Sequence, residues 1–158
     1  MGKVGQYGLL GKFERAIEAY DRSCSLDPKA QHYFQKLGLA RRSLLVKQVQ
    51  DLLSSYQVAY EDEDAALLAS LLDETKSDFV VDQISNAEKL FREFDAIDVS
   101  LSDATIQGNE HDGILVGLQL SMSAAFAETG VAVTLLDTNQ TLTLRKEPEA
   151  GWKICEIQ

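Results

Sequence analysis

Few side chains in this chain have the chemistry to transfer protons or to hold a metal ion. Asp95 and Asp98 lie close together, and His111 stands between Glu110 and Asp112 in a turn bounded by glycines. A carboxylate or an imidazole can act as a general base. A buried aspartate in that role needs both a raised pKa and a well-placed partner group, and no partner is visible beside these two. One histidine with two adjacent acids is not a metal-ligand spacing. We therefore predict no catalytic residue and no metal site.

Aromatic side chains are the second group that could build a site. Tyr56 and Tyr60 recur at helical spacing, and Trp152 opens the final apolar segment. Aromatic residues in such positions are usually plain core residues. The alternative is that they line a ligand pocket. The residues predicted to line such a pocket are Tyr56, Tyr60, Phe94, Leu118 and Trp152. The sequence has no phosphate loop, dinucleotide fingerprint or GxSxG motif, which predicts that no cofactor is bound.

Charge is distributed unevenly along the 158 residues. The net charge is −10, but residues 1–43 carry +4 and residues 44–158 carry −14. The acidic bulk argues against DNA or RNA as a partner, because phosphate binding requires a basic face. Two explanations stay open. In the first, the chain is an acidic domain with a mildly basic cap. In the second, the basic part attracts either the acidic part or an acidic partner.

The sequence predicts neither a targeting signal nor a disulfide. No apolar run reaches the length of a membrane span, and the first residues contain no apolar signal-peptide core. Cys24 and Cys155 are the only cysteines and form neither a disulfide framework nor a metal-ligand spacing. These features predict a soluble, cytoplasmic protein without a membrane partner.

Helical periodicity dominates the chain up to about residue 94. One helix is predicted over Lys12–Leu26. The next pattern covers residues 28–60, as one long helix or as two helices that meet near Ser43. A short helix follows the acidic run Glu61–Asp64, whose carboxylates favour a helix N-terminus. A further helix is predicted over about Asp82–Phe94.

The period then changes to two, which predicts antiparallel strands joined by short turns. In the longest apolar strand the even-numbered residues are all apolar, and the odd-numbered residues are small or mixed. A strand of this length should bend or bulge, and Gly117 is the predicted place. Asp137–Gln140 is predicted to be a turn between two strands. The predicted strands are Ile97–Leu101, Ile114–Phe126, Val131–Leu136, Thr141–Lys146 and Trp152–Ile157.

The N-terminal helix resembles part of a known repeat. The segment Gly11-Lys-Phe-Glu-Arg-Ala-Ile-Glu-Ala-Tyr20, with Pro28 at its exit, is similar to the second helix of a tetratricopeptide (TPR) unit. The resemblance implies TPR-like helices over residues 1–43 that bind a protein partner. A repeat array normally needs about three units to bury its own faces, so this segment should pack on something else.

Residues 44–158 resemble the nuclear transport factor 2-like (SnoaL-like) superfamily. The similarity rests on Tyr56 and Ala59-Tyr60 at the end of the opening helix, on Phe91–Val99 between helix and strand, and on the ending Gly151-Trp-Lys-Ile. The resemblance implies an α+β cone, with a curved antiparallel sheet wrapped around helices, that forms homodimers through the sheet. Many members have a β-hairpin between the second and third helices, whereas Asp73–Val81 here leaves room for a short strand at most.

The sequence therefore predicts an α+β protein with two domains, a TPR-like helical hairpin over residues 1–43 and the cone domain over residues 44–158. Two functions stay open. One is a non-catalytic interaction protein with a dimerising cone domain that scaffolds partners or binds a small apolar ligand. The other is a small-molecule isomerase, dehydratase or cyclase of the SnoaL-like type. The polarity of the cone interior distinguishes them, since an enzyme needs converging ionisable groups there.

Overall fold

The computed structural model describes residues 31–158, with side chains from residue 35 onward. Most of the TPR-like segment, including Gly11–Pro28, therefore lies outside the described residues. The chain divides into two compact units, with the boundary between Asp51 and Leu52. The second unit contains all four strands and most of the residues considered below.

Three helices precede the sheet in the described part of the chain. They are α1 (Gln31–Glu61), α2 (Ala65–Ser70) and α3 (Ser77–Glu93). Because α1 runs without a break, the one-helix alternative for residues 28–60 is the correct one as far as the described residues go. The side chain of Asp64 caps α2 by accepting a hydrogen bond from the backbone N–H of Leu67 at 3.0 Å. No helix in the described range is long and apolar enough to cross a membrane.

Four antiparallel strands follow in the order β1-β2-β3-β4. Their bounds are Phe94–Asn109, Gly113–Phe126, Ala132–Glu147 and Gly151–Ile157. This arrangement of helices followed by a curved antiparallel sheet confirms the predicted α+β class.

The predicted turn at Asp137–Gln140 is wrong, because β3 continues straight through it. Asp137 pairs with Ser121 of β2, and Asn139 pairs with Gln119. The side chain of Asp137 also accepts hydrogen bonds from Gln119 at 2.7 Å and from Ser121 at 3.0 Å. Pairing along a long neighbouring strand overrides the turn preference of Asp and Asn, which is only a local tendency.

The curvature of the sheet has an identifiable source in β1. The pairing of β1 with β2 shifts between Asp95 and Asp98 and again between Ser102 and Thr105. In both places β1 has one more residue than β2, and a residue of β1 has positive φ, 52° at Ala96 and 55° at Asp103. These are β-bulges, which bend and twist a sheet. The second bulge lies opposite the stretch between Gln119 and Gly117, so the bend expected near Gly117 occurs in the neighbouring strand.

The alternation predicted for β2 is reproduced in its burial. Its even-numbered residues from Ile114 to Ala124 are buried, and their odd-numbered neighbours are half-buried or exposed. Phe126, expected on the same apolar face, is 42% exposed at the end of the strand. The apolar face of β2 therefore ends at Ala124, and Phe126 becomes a surface residue.

A short segment between α2 and α3 pairs with the free edge of β4. The backbone N–H of Ile154 donates to the carbonyl of Leu71 at 2.8 Å, and the N–H of Asp73 donates to the carbonyl of Ile154 at 2.8 Å. Leu72 and Ile154 form a parallel bridge between these bonds. One edge of the sheet is thus covered by the chain itself.

Candidate functional site

A surface hollow of about 560 Å³ lies where α3 ends and the β2–β3 hairpin turns. Its lining comes from Arg92, Glu93, Phe126, Ala127, Glu128, Thr129 and Val131. Backbone hydrogen bonds fix its wall, since the N–H of Ala127 donates to the carbonyl of Glu93 at 3.0 Å, and that of Phe126 donates to Val131 at 3.0 Å. Phe126 and Val131 are large apolar residues exposed by 42% and 59%. Exposed apolar side chains with charged neighbours are typical of a surface that binds a partner or a ligand.

The aromatic residues predicted to line a pocket fall into separate groups. Tyr56 and Tyr60 lie one helical turn apart on α1, with ring centroids 5.1 Å apart, and Tyr60 meets Phe91 of α3 edge-on at 6.0 Å. Phe94 contacts Phe126 at 4.9 Å, beside the surface hollow. Leu118 and Trp152 are buried on β2 and β4. All five predicted residues are therefore buried, and Phe94 is the one that touches the lining of the hollow.

The two tyrosines are held in their neutral form. Burial raises the pKa of Tyr56 well above its usual value, and the neighbouring Tyr60 raises it further. Burial also raises the pKa of Tyr60, although a hydrogen bond from Tyr56 acts in the opposite direction. Such phenols can donate hydrogen bonds but cannot serve as bases near neutral pH.

Asp73 is the one charged side chain that is buried in the part of the chain that the structure describes. Its carboxylate accepts hydrogen bonds from the backbone and hydroxyl of Thr75 at 3.0 and 2.7 Å. Arg145 of β3 binds both of its oxygens, from Nε to Oδ2 and from Nη2 to Oδ1, each at 3.0 Å. Burial would raise the pKa of Asp73, but the hydrogen bonds from Thr75 and Arg145 outweigh it and lower the pKa. A carboxylate held in this way is charged and fully engaged, so it fastens the α2–α3 segment to the sheet and is a poor proton acceptor.

Sequence reasoning missed this ion pair. Asp73 and Arg145 are 72 residues apart, and neither stands in a recognisable motif. The pair arises only because the Leu71–Asp73 segment lies along β4. The one usable signal was that Asp73 comes directly after the leucine-rich stretch that ends at Leu72, which places a polar residue near the core.

The residues considered for proton transfer are all on the surface. Asp95 and Asp98 are exposed on β1. His111 is exposed in the β1–β2 turn, where its backbone N–H and that of Asp112 donate to the side-chain oxygen of Asn109 at 2.9 Å. Among the described residues, no three His, Cys, Asp or Glu side chains are grouped so as to hold a metal ion.

The outer face of the sheet carries mostly polar side chains. Gln119, Ser121 and Asp137 form a hydrogen-bonded group at its centre. Leu115, near one end of β2, is 46% exposed on the same face. Small and polar side chains of this kind leave this face accessible to a second sheet.

Comparison with solved structures identifies the fold. A nuclear transport factor 2-like superfamily protein from Salmonella enterica serovar Typhimurium superposes with a TM-score of 0.64 at 12% identity, over 74% of this chain and 90% of that one. A putative dehydratase of the same family from Streptomyces avermitilis gives 0.59 at 17% identity, over 72% and 93%. A putative aromatic ring hydroxylase from Novosphingobium aromaticivorans gives 0.59 at 17% identity, over 69% and 82%.

These similarities establish a shared fold and nothing more specific, because all three identities are low. No protein-family model matches the sequence, and no curated protein matches it at a significant level. The described part of the chain therefore has the nuclear transport factor 2-like fold, as the sequence resemblance implied.

Proposed function

We propose that this chain is a non-catalytic interaction protein built on a dimerising nuclear transport factor 2-like domain. The observation that carries the proposal is the chemistry of the sheet's buried face. Val116, Leu118, Leu120 and Met122 fill it with aliphatic side chains. The buried charge of Asp73 is already neutralised by Arg145. General acid–base chemistry needs an ionisable group that can exchange protons with a substrate, and this face supplies none in the described range.

The proposal assigns separate tasks to separate parts of the chain. The TPR-like residues 1–43 bind a protein partner, and residues 44–158 form a homodimer through the outer face of the sheet. The hollow beside Phe126 accepts an apolar group. If the interior takes a small apolar ligand, the residues around it are Tyr56, Tyr60, Phe94, Leu118 and Trp152.

Sedimentation velocity on the full chain tests the dimer. We expect a dimer at tens of micromolar, a concentration typical of modest interfaces. Ser121→Arg places a long charged side chain on the outer face of the sheet and should produce a folded monomer. Ser54→Arg, at an exposed position of α1, is the matched control and should leave the dimer intact. A wild-type monomer at this concentration would contradict the proposal.

The second candidate is a small-molecule enzyme of the SnoaL-like type. It is favoured by the neutral phenols of Tyr56 and Tyr60, which could donate a hydrogen bond to a substrate oxygen. Two of the similar structures are described as a putative dehydratase and a putative aromatic ring hydroxylase. Turnover of a hydroxylated aromatic substrate that is lost in Tyr56→Phe, with unchanged folding, would favour the enzyme over the interaction protein.

A further inference from the structure

The two edges of the sheet differ in how their backbone groups are satisfied. At the β4 edge, the Leu71–Asp73 segment forms two backbone hydrogen bonds with Ile154. At the β1 edge, the outward backbone hydrogen bond that the structure describes is accepted by a side chain. Oε2 of Glu61 accepts the N–H of Val99 at 3.1 Å. An uncovered strand edge is a template for another strand.

The Val99 bond also sets the direction of the neighbouring backbone groups. Because the N–H of Val99 points to Glu61, it points away from β2. Backbone groups alternate along an antiparallel strand, so those of Ser100 face β2 and those of Leu101 again face outward. Leu101 has no backbone hydrogen bond on that outward side within residues 31–158. Between the bulges, the pairing of β1 with β2 is regular from Asp98 to Ser102, so this short segment keeps the alternation of a regular strand.

The charge of this edge indicates what kind of strand it accepts. β1 contains Asp95, Asp98 and Asp103, no lysine and no arginine. None of these three carboxylates forms an ion pair with another described residue, and Glu61 adds a fourth acid beside Val99. Within residues 31–158, this edge thus presents the outward backbone groups of Leu101, flanked by negative charge.

Pairing with a second copy of β1 is disfavoured by the same charges. In an antiparallel pair centred on Ser100 and Leu101, Asp98 of each copy would lie near Asp103 of the other. Like charges across a strand pair are destabilising. A positively charged strand has the opposite effect, since its lysine or arginine side chains would face the aspartates.

We propose that the β1 edge between the two bulges binds an extended, basic peptide of a partner protein as an added strand. Backbone hydrogen bonds to the outward N–H and carbonyl of Leu101 would provide the register, while the N–H of Val99 stays bonded to Glu61. Basic residues at alternate positions would lie on the outer face next to Asp98. This inference rests on the proposed interaction function, for which it names a class of partner, and it uses the edge of the sheet rather than the outer face assigned to the dimer.

The test uses the full chain and a blocked heptapeptide of alternating lysine and valine. Calorimetry should give a dissociation constant on the order of 0.1 mM, as expected for a few backbone bonds and charge pairs. Two control peptides separate the contributions. One replaces each lysine with glutamate, and the other replaces the central valine with proline, which cannot donate a backbone hydrogen bond. Neither should bind measurably.

Amide hydrogen exchange gives a readout at the edge itself. With the basic peptide bound, exchange at the outward N–H of Leu101 should slow by about tenfold or more, whereas the N–H of Ser100, already bonded to β2, should change little. Binding without protection at Leu101 would show attraction to charge alone and would overturn the proposal.

Charge variants test whether the aspartates of β1 contribute to peptide binding. Asp98→Lys combined with Asp103→Asn removes the negative charge and keeps a residue type that tolerates positive φ at the bulge. Asp82→Lys combined with Glu88→Gln makes the same change of net charge on the exposed face of α3. The edge variant should weaken binding at least about tenfold, and the α3 variant should weaken it much less.

Equal affinity in the two variants, or no binding by the wild type at about 1 mM peptide, would sink the proposal. These failures are distinct from failure of the proposed function. A chain that dimerises but does not bind the peptide contradicts the edge proposal alone. A chain that binds the peptide as a monomer contradicts the dimer.

Discussion

Arg145 donates hydrogen bonds to both oxygens of the buried Asp73 carboxylate, with Nε–Oδ2 and Nη2–Oδ1 distances of 3.0 Å each. The aspartate side chain is fully buried, whereas that of Arg145 is 49% exposed. The carboxylate therefore depends on its partners for the hydrogen bonds that water would otherwise supply. The arginine is partly hydrated and depends on the pair much less.

Asp73→Asn should destabilise the protein by about 1–3 kcal/mol, because it removes a charged acceptor from a buried site. Urea unfolding followed by fluorescence measures the change. Arg145→Gln should also destabilise, and the effects should be strongly non-additive in the double variant. Asp82→Asn, on the exposed face of α3, is the control and should stay within about 0.5 kcal/mol of wild type. Additive losses from the two substitutions would show that the residues do not act as a pair.

Acid should weaken the fold through the same carboxylate. The pKa of Asp73 is lower in the folded state than in the unfolded chain. Its contribution is therefore fully present above the unfolded pKa of about 3.9 and is lost as the pH falls through the folded value. The free energy of unfolding, measured in urea between pH 7 and pH 3, should fall more steeply for the wild type than for Asp73→Asn. Parallel curves would contradict this assignment.

Ala96→Gly should stabilise the protein by about 0.5–1 kcal/mol, because Ala96 has a φ of 52°, which costs an L-residue more than glycine. Ala104→Gly, in the same strand but without positive φ, is the matched control and should destabilise by a similar amount. Thermal unfolding of the three proteins should give midpoints in the order Ala96→Gly, wild type, Ala104→Gly. Equal loss in both variants would mean that the bulge conformation carries no strain.

Trp152 should behave as a core residue. It is 7% exposed and lies at the start of β4, where it pairs with Lys146. Trp152→Ala should cost about 3–5 kcal/mol, and Trp152→Phe should cost less, because the phenyl ring refills part of the space. Since this is the only tryptophan, its emission reports on this one site. The emission should be blue-shifted and resist quenching by iodide, and an easily quenched, red-shifted signal would contradict a core role.

The sequence determined the elements whose pattern is local. Alternation from Ile114 to Ala124 defined β2, and helical periodicity defined α1 and α3, because burial on one face imposes a period on neighbouring residues. Even the fold class followed from the order of these patterns. The helix boundaries were less accurate, since α3 begins at Ser77 and not near Asp82.

Only the tertiary structure decided the features that depend on distant residues. Asp137 and Asn139 favour a turn by themselves, but pairing with Ser121 and Gln119 keeps them in a strand. The meeting of Asp73 with Arg145 depends on how the Leu71–Asp73 segment lies along β4. The edge at Leu101, which no described backbone group pairs with, likewise depends on which strand ends the sheet. Contacts between residues far apart in sequence cannot be predicted from periodicity, because the residues next to one partner do not depend on which distant residue it contacts.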